Sequence, residues 1–274
     1  MHPILKILAL TLCCAAVPAA AQIKPLSSQP VTLVSHRAIY DLRLTDATGA
    51  KAPAEASGKI AFDFSSECGG YNQTLRQVVD LAPGEGEARL SDTRTTTFED
   101  ATGADFSFST ARSAAEGGEV DGHAERGAKG VSIALTRPDA VRLKAQSDVL
   151  FPTQHIARII EAARRGEKVL VARLYDGSDD GKRIYNVTAI IGKPARGPDA
   201  DRGAQRQEFR DMTRWLVSVA YFPQDRRDGL PEYTLSFDLY ENGVSSGLKL
   251  DYGDFALRGE LTNIEFPPAT KCGR

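Results

Sequence analysis

Cysteine occurs only four times in the 274 residues, methionine twice and tryptophan once. No two cysteines stand as Cys-x-x-Cys, which removes the usual dithiol redox motif. The histidines beyond the leader, His36, His123 and His155, have no metal-ligand spacing, and His-Glu-x-x-His is absent. The zinc-hydrolase pattern is thereby excluded. Gly-x-Ser-x-Gly is also missing, and with it the nucleophile elbow of α/β-hydrolases. No stretch approaches the ~20 apolar residues of a membrane-spanning helix. Charge of neither sign dominates: 34 Lys and Arg face 36 Asp and Glu, a net charge of −2. Such a balance gives no footprint for nucleic acid or an anionic membrane surface.

What is present begins with MHPILKILALTLCCAAVPAAAQ. Lys6 precedes a short apolar stretch from Ile7 to Val17, and Ala19-Ala20-Ala21 ends it. This pattern predicts a secretory signal peptide over residues 1–21, cut after Ala21. A lipoprotein signal using Cys13 or Cys14 is the alternative, but Leu12 and Cys13 stand where a small residue is required. Cleavage leaves Cys68 and Cys272 in an oxidising compartment, where a pair of cysteines reads as one disulfide. It would close a loop of roughly 200 residues and contribute about 5 kcal/mol at most.

The remainder, residues 22–274, is expected to form one mainly β domain. Apolar side chains recur at every second position in Ala38-Tyr40-Leu42-Leu44, Ile60-Phe62-Phe64, Leu75-Gln77-Val79-Leu81 and Phe106-Phe108. The same period marks Val131-Ile133-Leu135, Tyr185–Ile191, Trp215–Tyr221, Tyr233–Leu239, Leu248–Tyr252 and Phe255-Leu257. Alternation is the sign of strands with one buried face. Turn residues separate them, most clearly Glu241-Asn242-Gly243, a hairpin signal. A dozen or more antiparallel strands, joined as a meander, are predicted. The tract 193–206, KPARGPDADRGAQR, is expected to be a mobile polar loop.

One segment departs from period two. In FPTQHIARIIEAARRGEK, residues 151–168, Ile156, Ile159, Ile160 and Ala163 share one helical face. Pro152 and Thr153 suit a helix start, Arg164 and Arg165 its negative end, and Gly166 its stop. A lone amphipathic helix needs an apolar surface, which a curled sheet offers on its concave side. His155, on this helix, is expected to be hydrogen-bonded rather than catalytic.

The segment from Tyr175 to Arg183, YDGSDDGKR, imitates two motifs without completing either. As a phosphate loop, Gly177 to Gly181 is one residue short and Arg183 stands where Ser or Thr belongs. As a calcium loop, Asp176, Ser178 and Asp180 fit the opening, but Val187 replaces the bidentate Glu. The expectation is a polar turn whose Asp side chains bond their own backbone.

Four segments in order, SHRAIYDLRL, YDGSDDGKRIYNVTAIIG, YTLSFDLYENGVSSGLKLDYGDFALRG and the closing cysteine, resemble the EipB family of cell-envelope-integrity proteins of Alphaproteobacteria. The resemblance runs from about Leu33 to Cys272. It implies a periplasmic protein, an antiparallel sheet curled into an open β-spiral with one helix set in it, and a Cys68–Cys272 bond. The spiral looks like carriers and receptors that move lipoproteins. It implies no catalytic residue.

The function expected is therefore support of the cell envelope by binding an apolar ligand on the concave face. An acyl chain, a lipoprotein or an extended envelope segment would fit, with Trp215, Ile156, Ile159 and Ile160 as contact residues. The alternative is an interaction protein working through its outer surface. Neither is an enzyme, and neither needs a cofactor or metal; partners would be lipid, lipoprotein or another periplasmic protein.

Overall fold

The computed structural model describes residues 30–49, 52–83, 87–113, 116–226 and 229–268. The expected signal peptide and Cys272 lie outside them. Among the described residues are fifteen strands and one α-helix. The first half of the chain contributes β1 (His36–Ala47), β2 (Glu55–Glu67), β3 (Gly70–Ala82), β4 (Arg89–Asp100), β5 (Asp105–Ala111), β6 (Glu119–Gly127), β7 (Gly130–Arg137) and β8 (Val141–Ala145). Then follow β9 (Val149–Leu150), α1 (Pro152–Arg164), β10 (Val169–Leu174), β11 (Tyr185–Ala195), β12 (Arg214–Pro223), β13 (Tyr233–Tyr240), β14 (Ser245–Asp251) and β15 (Phe255–Glu265). Among the described residues no helix is long and apolar enough to cross a membrane.

All fifteen strands form one sheet, ordered β8 through β1, then β15 back through β9. From β1 in the middle of the sheet the strands walk to one edge at β8, reappear at the other edge as β9, and walk back until β15 pairs with β1. Only residues 146–148 separate the two edge strands. Four Cα steps span about 15 Å at most, so the sheet must curl until its edges nearly meet. Arg126 of β6 reinforces this closure: its guanidinium donates to the Val149 carbonyl of β9 at 2.7 Å and stacks over Phe151 at 5.0 Å. The result is a nearly closed, barrel-like fold; its mainly β meander is the one the sequence pattern predicts, and its curl is the one the family resemblance implies.

The meander has one exception. β9 and β10 are parallel, through Arg173↔Val149 and Leu174↔Leu150, because α1 intervenes and carries the chain back to its starting end. The helix lies inside the barrel. Its Ile159, Ile160, Ala162 and Ala163 pack on the inward rows of β11, β12 and β13, including Val187, Ala189, Val217 and Leu239. Burying each isoleucine contributes roughly 1.5–3 kcal/mol. The helix stops as the sequence predicts: Gly166 adopts φ 77°, and the Gly166 and Glu167 amides donate to Ala163 and Ala162 carbonyls, each at 3.0 Å. This left-handed closure favours glycine.

The 193–206 tract corrects the expectation of a mobile loop. β14 and β15 pair only from Leu248↔Gly259 to Asp251↔Ala256, and beyond that they diverge. Asp201, fully buried, bridges the divergence by accepting the amides of Gly247 at 2.6 Å and Leu261 at 2.8 Å. Arg258 also donates to it at 2.9 Å. Asp199, likewise buried, accepts the hydroxyls of Tyr240 and Ser246 at 2.6 and 2.8 Å. Polar composition here reflects a buried hydrogen-bond knot, since charges that leave water must be partnered.

Candidate functional site

The open space inside the barrel lies against β2–β5. Strand register assembles its wall. Phe62 of β2 stands opposite Leu75 of β3, Leu75 opposite Thr95 of β4, and Thr95 opposite Thr110 of β5. The last two share a hydroxyl hydrogen bond of 3.0 Å. On either side of this row, Gln73 faces Thr97 and Gln77 faces Thr93. Because side chains alternate, β4 turns Thr93, Thr95, Thr97 and Glu99 inward together. The three threonines, with Phe62, Gln73, Leu75, Gln77 and Thr110, line a cavity of ≈ 420 Å³, within the roughly 300–1,000 Å³ of small-ligand sites.

The loop between β10 and β11 forms the far side, through Asp176, Ser178 and Asp179. It is held from within: Tyr175 donates its hydroxyl to the Gly181 carbonyl at 2.8 Å. Asp176 and Asp180 accept the amides of Ser178 and Lys182 at 2.9 and 3.0 Å, the self-bonding expected of this turn. It is also held to the wall, since Arg112 after β5 donates to the Asp179 carbonyl at 2.5 Å. Gly177 has φ 70° and lies so close to Phe108 that a Cβ would sit 2.5 Å from the ring; only glycine fits. On the outer side Tyr185 donates to Asp179 Oδ2 at 2.6 Å, and Arg183 bonds both oxygens of Glu232 at 2.6 and 2.5 Å. Burial pushes the Asp176 carboxyl up, and the charge of Asp179 adds to this, while the Ser178 amide opposes it. Among the described residues no group of three or more His, Cys, Asp or Glu could hold a metal ion.

Glu99, at the inner end of the β4 row, joins the wall to the helix. Its two carboxylate oxygens accept the amides of Thr153 and Gln154 at 2.7 and 2.9 Å, satisfying helix donors that lack partners within the helix. Gln73 donates to Thr153 Oγ1 at 2.9 Å. Burial pushes the Glu99 carboxyl up, against those two amides and Arg126.

The residues predicted to contact a ligand fall elsewhere. Trp215, Ile159 and Ile160 come together in the packed core between α1 and β10–β13, with exposures of only 4%, 0% and 0%. Ile156 is partly exposed and lines an adjoining cavity of ≈ 50 Å³ with Leu33, His36 and Phe64, which shares Phe62 and Gln73 with the larger one and has room for no more than a few waters. His155 is buried, and its Nε2 has no partner within the protein, short of the hydrogen bonding expected. Cys68 lies in the turn joining β2 to β3; its expected partner, Cys272, lies outside the described residues. The alternating rows of Phe62 and Leu75 are legible in the sequence, but the polar β4 row is not, because β4 has no apolar alternation. Its signal was threonine at 93, 95 and 97, a β-branched strand former at every second position.

Comparison with known proteins places this architecture. The chain matches the EipB-like family over residues 27–268. It is 35% identical over 245 residues to the cell envelope integrity protein EipB of Brucella abortus (strain 2308), covering 87% of this chain and 86% of that protein. It also superimposes, at TM-score 0.80 and 34% identity, on the crystal structure of a β-barrel-like protein of a domain of unknown function from Brucella abortus. That match covers 87% of this chain and all of the other. With the family matched over nearly all of its described barrel, this chain belongs to the EipB-like family.

Proposed function

We propose that this protein supports cell-envelope integrity from the periplasm, without catalysis, by holding a ligand in the cavity on the concave side of its sheet. The observation that carries this is the ≈ 420 Å³ space walled by β2–β5 and closed by the 175–184 loop. The relative's printed name supplies the envelope role, and the leader read from the sequence supplies the compartment. A Cys68–Cys272 bond belongs to the proposal. β15 ends beside the start of β1, at Arg37↔Glu265, and that start pairs with the end of β2, at His36↔Phe64. β15 therefore ends on the side of the sheet where Cys68 lies. Phe62 and Leu75 offer an acyl chain one apolar strip, far less than the apolar face expected from the sequence.

A second reading, an interaction protein, has its own observation. Val169 and Val171 of β10, Ile190 of β11 and Leu216 of β12 share the outer face and are all more than half exposed. Exposed apolar groups clustered in this way mark interaction surfaces.

Complementation separates the two. In a bacterium lacking the gene, Thr95→Phe fills the cavity, and Val171→Asp with Leu216→Asp spoils the outer patch. Ligand capture requires that the first variant fold with unchanged melting temperature yet fail to restore envelope resistance to detergent, while the second restores it. The opposite pattern would establish the outer-surface reading.

A further inference from the structure

We infer that the cavity is built for a polyhydroxylated ligand, a stretch of saccharide chain; this rests on the proposal that the cavity holds a ligand at all. Its wall is made of groups that both give and accept hydrogen bonds: hydroxyls of Thr93, Thr95 and Thr97, and amides of Gln73 and Gln77. Sugar hydroxyls have the same double character. Beside them Phe62 presents one ring and Leu75 one aliphatic surface, enough for the C–H face of a sugar ring. At the loop end, Asp176 and Asp179 supply acceptors for further hydroxyls.

Three other ligand classes fit less well. An acyl chain would strip the hydroxyls and amides of water and return nothing, and polar sites reject analogues lacking the matching groups by about 10⁴–10⁵-fold. An extended peptide is captured largely by main-chain hydrogen bonds at a sheet edge. Here β3 is paired on both sides, and β4 and β5 are paired on both sides from Arg94 to Glu99 and from Phe106 to Ala111, so along most of the wall only side chains face inward. A phosphate needs an uncommitted cation. Arg112 is the cation in the lining, and it already donates to the carbonyls of Asp179 and Glu116, with two carboxylates close by.

The test is calorimetric titration of the secreted, folded protein with tetra-N-acetylchitotetraose, with cellotetraose and with oleate. The two saccharides distinguish an acetamido glycan from a plain glucan. Saturable binding of either is expected. Gln77→Leu and Thr93→Val keep side-chain size and are expected to weaken it by about tenfold each while leaving the melting temperature within a degree or two. Binding of neither saccharide overturns the inference, as does saccharide binding that both variants leave unchanged. If oleate alone binds, and Thr95→Phe abolishes that, the cavity is a ligand site and only the ligand class assigned here is wrong. If nothing binds and Thr95→Phe complements fully, the cavity function falls as well.

Discussion

His155 shows how one side chain sets a pH limit. It is buried, its Nε2 has no partner within the protein, and burial lowers its pKa from 6.5 to about 4. A group whose folded pKa is depressed contributes stability above the unfolded value and loses it as pH falls through the folded one. Stability should therefore decline between about pH 6.5 and pH 4, by up to about 3 kcal/mol from this group. His155→Leu is expected to flatten that limb in urea titrations at pH 7, 5 and 4. The limb should shrink without vanishing, because burial lowers His36 in the same direction. If wild type and variant lose stability in parallel, the imidazole is not the acid-sensitive group.

At the scale of elements, α1 is capped by a residue from another strand. Glu99→Ala would leave the Thr153 and Gln154 amides buried without an acceptor, at a cost of about 1–3 kcal/mol. Glu99→Gln keeps an acceptor and should cost less. The Glu99 carboxyl is pushed up by burial, so its contribution is fully present below the unfolded pKa and lost as pH rises through the folded one. The Gln variant cannot ionise, and should lack that decline; equal melting temperatures for Ala, Gln and wild type at neutral pH would dismiss the cap. The junction of β14 and β15 depends on Asp201 in a similar way. Asp201→Ala should cost about 3 kcal/mol. It should also speed hydrogen exchange at the Gly247 and Leu261 amides specifically, and unchanged exchange there would show that the loop holds nothing together.

For the whole molecule, the governing fact is that the first and last described strands, β1 and β15, pair in the middle of the sheet. Among the described residues the strand ladder joins the early and late halves only where β1 pairs with β15; side-chain bonds such as Glu99 to the helix and Arg112 to Asp179 join them across the barrel. A Cys68–Cys272 bond would reinforce the first of these seams, with stabilisation of about 5 kcal/mol at most. Cys68→Ser, Cys272→Ser and the double variant are expected to lower the melting temperature equally, because either substitution removes the same link. Two titratable thiols in the native secreted protein, or additive losses in the double variant, would contradict the bond.

Local chemistry was legible wherever one face of an element is apolar. The rows Ala38-Tyr40-Leu42 and Val187-Ala189-Ile191 announce their strands. The Ile159-Ile160 stripe and Gly166 announce the helix and its end, because hydrophobic period and left-handed backbone need no distant partner. β4 was not legible, since its inward row is Thr93, Thr95, Thr97 and Glu99, and a polar row pointing into a barrel reads like one pointing into solvent. For the same reason KPARGPDADRGAQR read as a free loop although Asp199 and Asp201 are buried. Alternation turns Trp215 to the concave face of the sheet and helical spacing puts the isoleucines on one face of α1, but whether these faces meet a ligand or each other depends on which wall α1 covers. That choice follows from Glu99 holding the helix N-terminus and from the β9–α1–β10 crossover laying its apolar stripe on β10–β13. The Glu99 bonds join residues more than fifty positions apart, and side-chain alternation says which face turns inward, not what will stand opposite it.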